Sequence, residues 1–120
     1  MPKFGVRLET VWEIGARFPG VEKSTAYGSP ALKVKGRGGK PELMAGVPTN
    51  KSAEPGSLLI RMDRQEREAL LKEAPELYYA PEHYLGYDAV LVRMSKLTPE
   101  LLQDLLAMAY RFVTRRRAAF

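Results

Sequence analysis

A chain of 120 residues is long enough for one domain, residues 1–120, that buries roughly two thirds of the surface its unfolded form exposes. It contains no cysteine, which excludes disulfides, thiolate metal sites and cysteine nucleophiles and suits a reducing cytoplasm. The formal net charge is +5, no apolar run approaches the ~20 residues that cross a bilayer, and the opening MPKFGVRLET lacks a signal-like apolar stretch, so a cytoplasmic protein with no membrane partner is expected.

From Arg7 to Phe18 the apolar residues Leu8, Val11, Trp12 and Phe18 recur at helical spacing, and Pro19-Gly20 stops the helix they predict. The stretch YGSPALKVKGRGGK, residues 27–40, then changes period. Leu32 and Val34 point one way and Lys33, Lys35 and Arg37 the other, which predicts a half-buried strand with a basic outer face. Gly36, Gly38 and Gly39 supply a tight reversal, and Glu42 to Val47 returns as a second strand on Leu43, Ala45 and Val47. PTNKSAEPGS, residues 48–57, has turn residues and no apolar period, so it reads as a loop. Leu58 to Met62 is a third strand.

Asp63 stands at the N-cap position of a second helix, with Glu66 as its capping-box partner, and that helix runs through Leu70 and Leu71 to Pro75. Leu77 to Ala80 predicts a short strand, Pro81 to Asp88 a turn region and Ala89 to Met94 a fifth strand. Thr98, Pro99 and Glu100 read as N-cap, first helical residue and first-turn acid. Behind them Leu101, Leu102, Leu105, Met108, Ala109, Phe112 and Val113 form an apolar stripe that ends in Arg115-Arg116-Arg117. The expected fold is α+β in two layers: a five-stranded antiparallel sheet with helices on one face, in the order α-β3-α-β2-α.

The inventory for catalysis is thin, and a non-enzymatic domain without a cofactor is expected. His83 is the single histidine, and nothing at metal-ligand spacing joins it. GRGGKP fails the phosphate-loop pattern, because Pro41 stands where the metal-binding hydroxyl belongs and no helix follows to present its amides. No catalytic or metal-binding residue is assigned. A basic hairpin is what remains: Lys33, Lys35 and Arg37 recur at about 6 to 7 Å along a strand, near the spacing of phosphates on an extended backbone, and Lys40 closes the loop. Charge runs the same way. Residues 1–41 hold eight Lys/Arg against three Glu, residues 42–110 seven against eleven acids, and residues 111–120 four Arg and no acid. Such asymmetry suits a polyanion. Lysines on a strand also keep a sheet edge soluble, and arginines at a helix end complement its dipole, so both clusters have a structural reading beside the functional one. Tyr78, Tyr79, Tyr84 and Tyr87 read as the amphipathic rim of a core or as base-stacking rings.

In order and spacing, FPGVEKSTAYGSPALKVKGRGGK, SLLIRMDRQEREALL, APEHYLGYDAVLVRM and LLQDLLAMAYRFV resemble the MmcQ/YjbR family of small bacterial proteins, over residues 18–113. The resemblance rests on Pro19, Gly20, Tyr27, Gly28, Pro30 and Lys40 in the first segment and His83, Tyr84 and Gly86 in the third; Tyr87 stands where many members have tryptophan. It implies the α-β3-α-β2-α order, a fold similar to type III secretion chaperones, and DNA binding through a "double wing" sheet. The expected partner is therefore DNA, held without sequence preference at Lys33, Lys35, Arg37, Lys40, Arg115, Arg116 and Arg117. The alternatives are a protein-interaction adaptor, as a homodimer or with another protein, and a small-ligand pocket at Tyr27, His83 and Tyr84.

Overall fold

Turn and cap chemistry sets the element boundaries. The structure, a computed structural model, describes residues 5–115; Arg116 and Arg117 lie outside them. The elements in chain order are α1 (Leu8–Gly15), β1 (Glu22–Ala26), β2 (Ser29–Lys35), β3 (Pro41–Gly46), β4 (Ser57–Arg61), α2 (Arg64–Glu73), β5 (Tyr78–Tyr79), β6 (Ala89–Arg93) and α3 (Pro99–Arg115), with 3-10 turns at Glu82–Tyr84 and Met94–Lys96. Asp63 caps α2 by accepting the Gln65 amide at 2.7 Å, and Thr98 caps α3 by accepting the Leu101 amide at 3.1 Å. Gly15 ends α1 where it is pressed on the sheet: a Cβ there would come within 2.4 Å of Leu32 Cδ1, so a larger residue would force the buried Leu32 side chain to shift.

The described residues form one antiparallel sheet of six strands in the order β1-β2-β3-β4-β6-β5, not the five expected. The additional strand is β1. Its residues EKSTA carry no apolar alternation because it is an edge strand paired to β2 alone and almost wholly exposed. What makes it a strand is the turn that follows. Tyr27 and Gly28 both have positive φ, 53° and 81°, the two-residue mirror-image turn that matches the twist of a hairpin. A tyrosine held there costs roughly 1 kcal/mol relative to its preferred backbone.

A second departure lies in β3. Leu32 is opposite Ala45 whereas Lys33 is opposite Leu43, so Met44 is an extra residue in the ladder. This bulge turns Met44 and Ala45 both into the core and leaves Leu43 on the other face beside Lys33, where strict alternation would put Leu43 and Ala45 together.

The helices cover one face of the sheet, as expected. There Leu32, Val34, Leu58, Ile60, Val90 and Val92 meet Leu102, Leu105, Leu106, Ala109 and Val113 of α3, with Val11 and Ile14 of α1. Leu70 and Leu71 of α2, with Ala74 at its C-terminal cap, pack against the same core. The opposite face carries a smaller apolar cluster of Leu59, Tyr84, Ala89 and Leu91, with Leu43, Ala53 and Tyr79 beside it. Two segments outside the strands, 47–56 and 80–88, the second holding the Glu82–Tyr84 3-10 turn, lie over part of that face. Among the described residues no helix is long and apolar enough to cross a membrane.

Candidate functional site: a groove on the helix-free face

Where those two segments stop, the helix-free face opens into a groove of about 920 Å³. Its floor is sheet: Lys33 from β2, Leu43 and Gly46 from β3, Leu59 and Arg61 from β4, Ala89 from β6. One wall is the β1–β2 turn with Thr25, Ala26 and Tyr27, and the other carries His83, Tyr84, Gly86, Tyr87 and Asp88. Val47, Pro48, Thr49 and Asn50 close one side. Two cations, Lys33 and Arg61, thus share a cleft with one carboxylate, and Asp88 Oδ1 is taken by Arg64 Nε at 2.7 Å. Glu22 stands opposite Lys33 in the β1–β2 register and moderates the charge at that end.

The rings of the second wall form a cluster. His83 meets Tyr84 edge-on at 4.8 Å between centroids and Tyr87 at 5.9 Å, and Tyr84 lies 5.8 Å from Tyr87. Tyr84 is buried, and its hydroxyl accepts the Asn50 amide at 3.1 Å, which pegs the 47–56 segment to the wall. His83 and Tyr87 stay exposed.

In this wall the carbonyls of Pro81, Glu82 and Tyr84 accept amides of the wall's own turns, and those of Leu85, Tyr87 and Ala89 take a side-chain donor. Arg67 supplies it. Its Nη1 reaches the carbonyl oxygens of Tyr87 at 2.8 Å and of Leu85 and Ala89 at 3.3 Å each, from a side chain only 5% exposed. Arg67 lies on α2 at helical spacing with Leu70, Leu71 and Ala74, and it is more deeply buried than these half-buried apolar neighbours. Its Nε meets Glu68 Oε2 at 3.2 Å.

A second peg holds the 47–56 segment farther along the sheet. Tyr79 hydroxyl accepts the Glu54 amide at 2.7 Å and shares a hydrogen bond with Ser57 Oγ. Arg93 lies over the Tyr79 ring at 4.3 Å, clasps both Glu54 carboxylate oxygens at 2.8 and 2.9 Å, and donates to the carbonyls of Pro75 and Glu76. The hydrogen bonds from Arg93 hold the Glu54 carboxyl below its ordinary value of 4.5. Between the folded value and the ordinary one, the unfolded chain binds the extra proton. The Glu54 contribution to stability is therefore present above that ordinary value and is lost as the pH falls through the folded one. Urea midpoints of the wild type and Glu54→Gln should differ at about pH 7, and the difference should shrink as the pH is lowered beneath the ordinary carboxylate range.

The structure brings together Tyr27, His83 and Tyr84, the three pocket residues expected from the sequence, and joins Lys33 to them. Lys35, opposite Pro41, shares the helix-free face with Lys33 two residues away, while Arg37 and Lys40 stand exposed in the β2–β3 turn. Arg115 is on the helix side, lining a shallow depression with a second cation, Arg111, and with Asp63 and Glu66, two acids that offset the pair's charge. Arg61 and Arg67 escaped the sequence reading. The signal for Arg67 was its place on the stripe of Leu70, Leu71 and Ala74. For Arg61, a charge at the end of a strand, there was none.

No protein-family model matches the chain, and no curated protein matches it. A solved structure does: Deinococcus radiodurans protein DR2400, with a DUF419 domain, at a TM-score of 0.72 and 21% identity, over 98% of this chain and 85% of that one. At that identity the likeness is one of fold. It establishes the α+β arrangement of three helices on an antiparallel sheet and leaves activity aside.

Proposed function

We propose that the chain is a single, non-enzymatic domain of the MmcQ/YjbR type that binds single-stranded nucleic acid without sequence preference along the helix-free face of its sheet. The observation that supports this reading is the groove itself, in which Lys33 and Arg61 from two different strands share a floor and the rings of Tyr27, His83 and Tyr87 stand on the two walls. A groove floored by sheet, with exposed rings and cations, matches the two things a single strand offers, a line of phosphates and unstacked bases. A duplex offers the phosphates only, since its bases are already stacked on one another. Lys35, Arg37 and Lys40 extend the cationic track from the groove along the β2–β3 hairpin. Ring stacking and phosphate contacts accept any base, which is the source of the expected tolerance.

Fluorescence anisotropy of a labelled oligo(dT) strand, titrated against salt, is the test. Contacts from Lys33, Lys35, Arg37 and Lys40, with Arg61 on the groove floor as a fifth, predict a log–log slope of about 3.5, and a duplex of the same length should bind more weakly. The reading fails if no binding is seen at ~50 mM salt, or if the slope is unchanged after Lys33, Lys35, Arg37 and Lys40 are replaced by alanine. If a mononucleotide competes as well as the strand does, the groove is a pocket for a small anionic ligand instead.

A further inference from the structure

Tyr27 is the most exposed large hydrophobic residue of the described chain, at 89%, and it sits with φ 53° in a two-residue turn. Both facts run against ordinary protein chemistry. Turns of this kind are filled by Asn, Asp or Gly, because a side chain branching from a left-handed backbone crowds its own carbonyl. An aromatic placed there normally has burial to compensate, and Tyr27 has almost none. The next residue, Gly28, has open space around it, so no packing contact at the turn explains the choice either.

What Tyr27 does have is a position. It lines the groove from the β1–β2 turn, while His83 and Tyr87 line it from the segment before β6. Lys33 and Arg61 form the floor between these walls. We infer that Tyr27 is a base-stacking finger: its ring covers a nucleobase that has entered the groove, and the strained turn holds the ring in water, over the opening, before any ligand arrives. This rests on the single-strand reading of the groove and adds to it which residue meets the base. Pre-organisation explains why the strain is kept. A ring on a rigid two-residue hairpin loses little freedom on binding, whereas the same ring on a long loop would lose much more.

The inference separates stability from binding in one substitution. Tyr27→Asn places a residue suited to the left-handed turn, so its melting temperature should rise by about 3–5 °C. The same variant should bind oligo(dT) at least about fivefold more weakly, since stacking on one base is lost. Its affinity for an abasic strand of equal length, which keeps every phosphate and has no base, should equal that of the wild type. Tyr27→Trp should retain the oligo(dT) affinity. Equal losses on both strands, or none on either, would overturn the finger while leaving the groove reading intact. A wild-type protein that binds neither strand would overturn both.

Discussion

Replacing Arg67 by alanine is expected to destabilise the protein by about 3–4 kcal/mol, a large fraction of the stability of a domain this size. Its side chain is buried and supplies the donor for three backbone carbonyls, those of Leu85, Tyr87 and Ala89. Alanine leaves the Ala89 oxygen without this donor in the interior and also opens a cavity beside Leu70 and Leu71. A lost hydrogen bond to a charged donor is worth about 1.5–3 kcal/mol, and the cavity adds to that. Arg67→Met separates the two parts. It refills the volume without restoring a donor, so it should recover the packing share, about 1 kcal/mol, and no more. Urea unfolding at 25 °C measures both, and an alanine variant within about 1 kcal/mol of the wild type would show that the carbonyls find water instead. Because Tyr87 belongs to the wall that Arg67 holds, the alanine variant should also bind oligo(dT) less tightly at temperatures where it is still folded.

Arg67 also shows which parts of this fold a sequence displays. The helices α1 and α3 were legible because each buries an apolar stripe, and Thr98-Pro99 marks the start of the last; α1 itself ends at Gly15, before the expected stop at Pro19-Gly20, where it is pressed on Leu32 and the chain goes over into turns. Strand β1 was not, because an exposed edge strand has no apolar side to alternate with; only the Tyr27-Gly28 turn betrays it, and tyrosine is an unexpected residue there. The Met44 bulge was invisible for a related reason. Leu43, Met44 and Ala45 are all apolar, so the letters are the same whether one or two of them face the core. Arg67 lies in RQEREALLKE, where an arginine among acids reads as a solvated face unless its spacing to Leu70 and Leu71 is counted.

The candidate site was partly legible, on both sides of the cleft. The family resemblance marks Tyr27, His83 and Tyr84, and alternation with Leu32 and Val34 separately marks Lys33. That one groove holds all four depends on long-range pairing, the β1–β2 hairpin folding against the sheet and the segment before β6 crossing back over β4. Local sequence carries no record of that meeting. The tyrosines divide by their hydroxyls: Tyr79 and Tyr84 each accept a backbone amide and act as pegs, while Tyr27 and Tyr87 keep their rings in solvent at 89% and 48% exposure. Of the four rings expected as either rim of the core or stacking surface, Tyr78 is buried in the core, Tyr79 and Tyr84 use their hydroxyls as pegs, and Tyr87 keeps the open ring that stacking would need.

Arg61 is where fold and groove meet most directly, and it should respond to substitution in both. Strands β3 and β4 are registered through Ala45–Ile60 and Gly46–Leu59, so the first half of β3 runs on past the end of its ladder with β4. The Arg61 guanidinium spans the opening: Nη1 donates to the Leu43 carbonyl at 3.4 Å, Nε to the Asp88 carbonyl at 3.1 Å, and the group lies over the Phe112 ring of α3 at 5.1 Å. It ties the projecting hairpin, the second groove wall and α3 together while lining the groove floor. Arg61→Lys keeps the charge and loses the planar fork and the stacking, so it should cost about 1–2 kcal/mol of stability and little oligo(dT) affinity. Arg61→Met keeps the apolar stem and loses the charge. It should cost about 2 kcal/mol of stability, weaken oligo(dT) binding roughly tenfold and lower the salt slope by about 0.7, the share of one phosphate contact. Denaturation and anisotropy on the same two variants thus read the two roles separately. If Met lowered stability but left the slope unchanged, Arg61 would be a structural tie alone, and the phosphate track would run from Lys33 outward along the hairpin without crossing to β4.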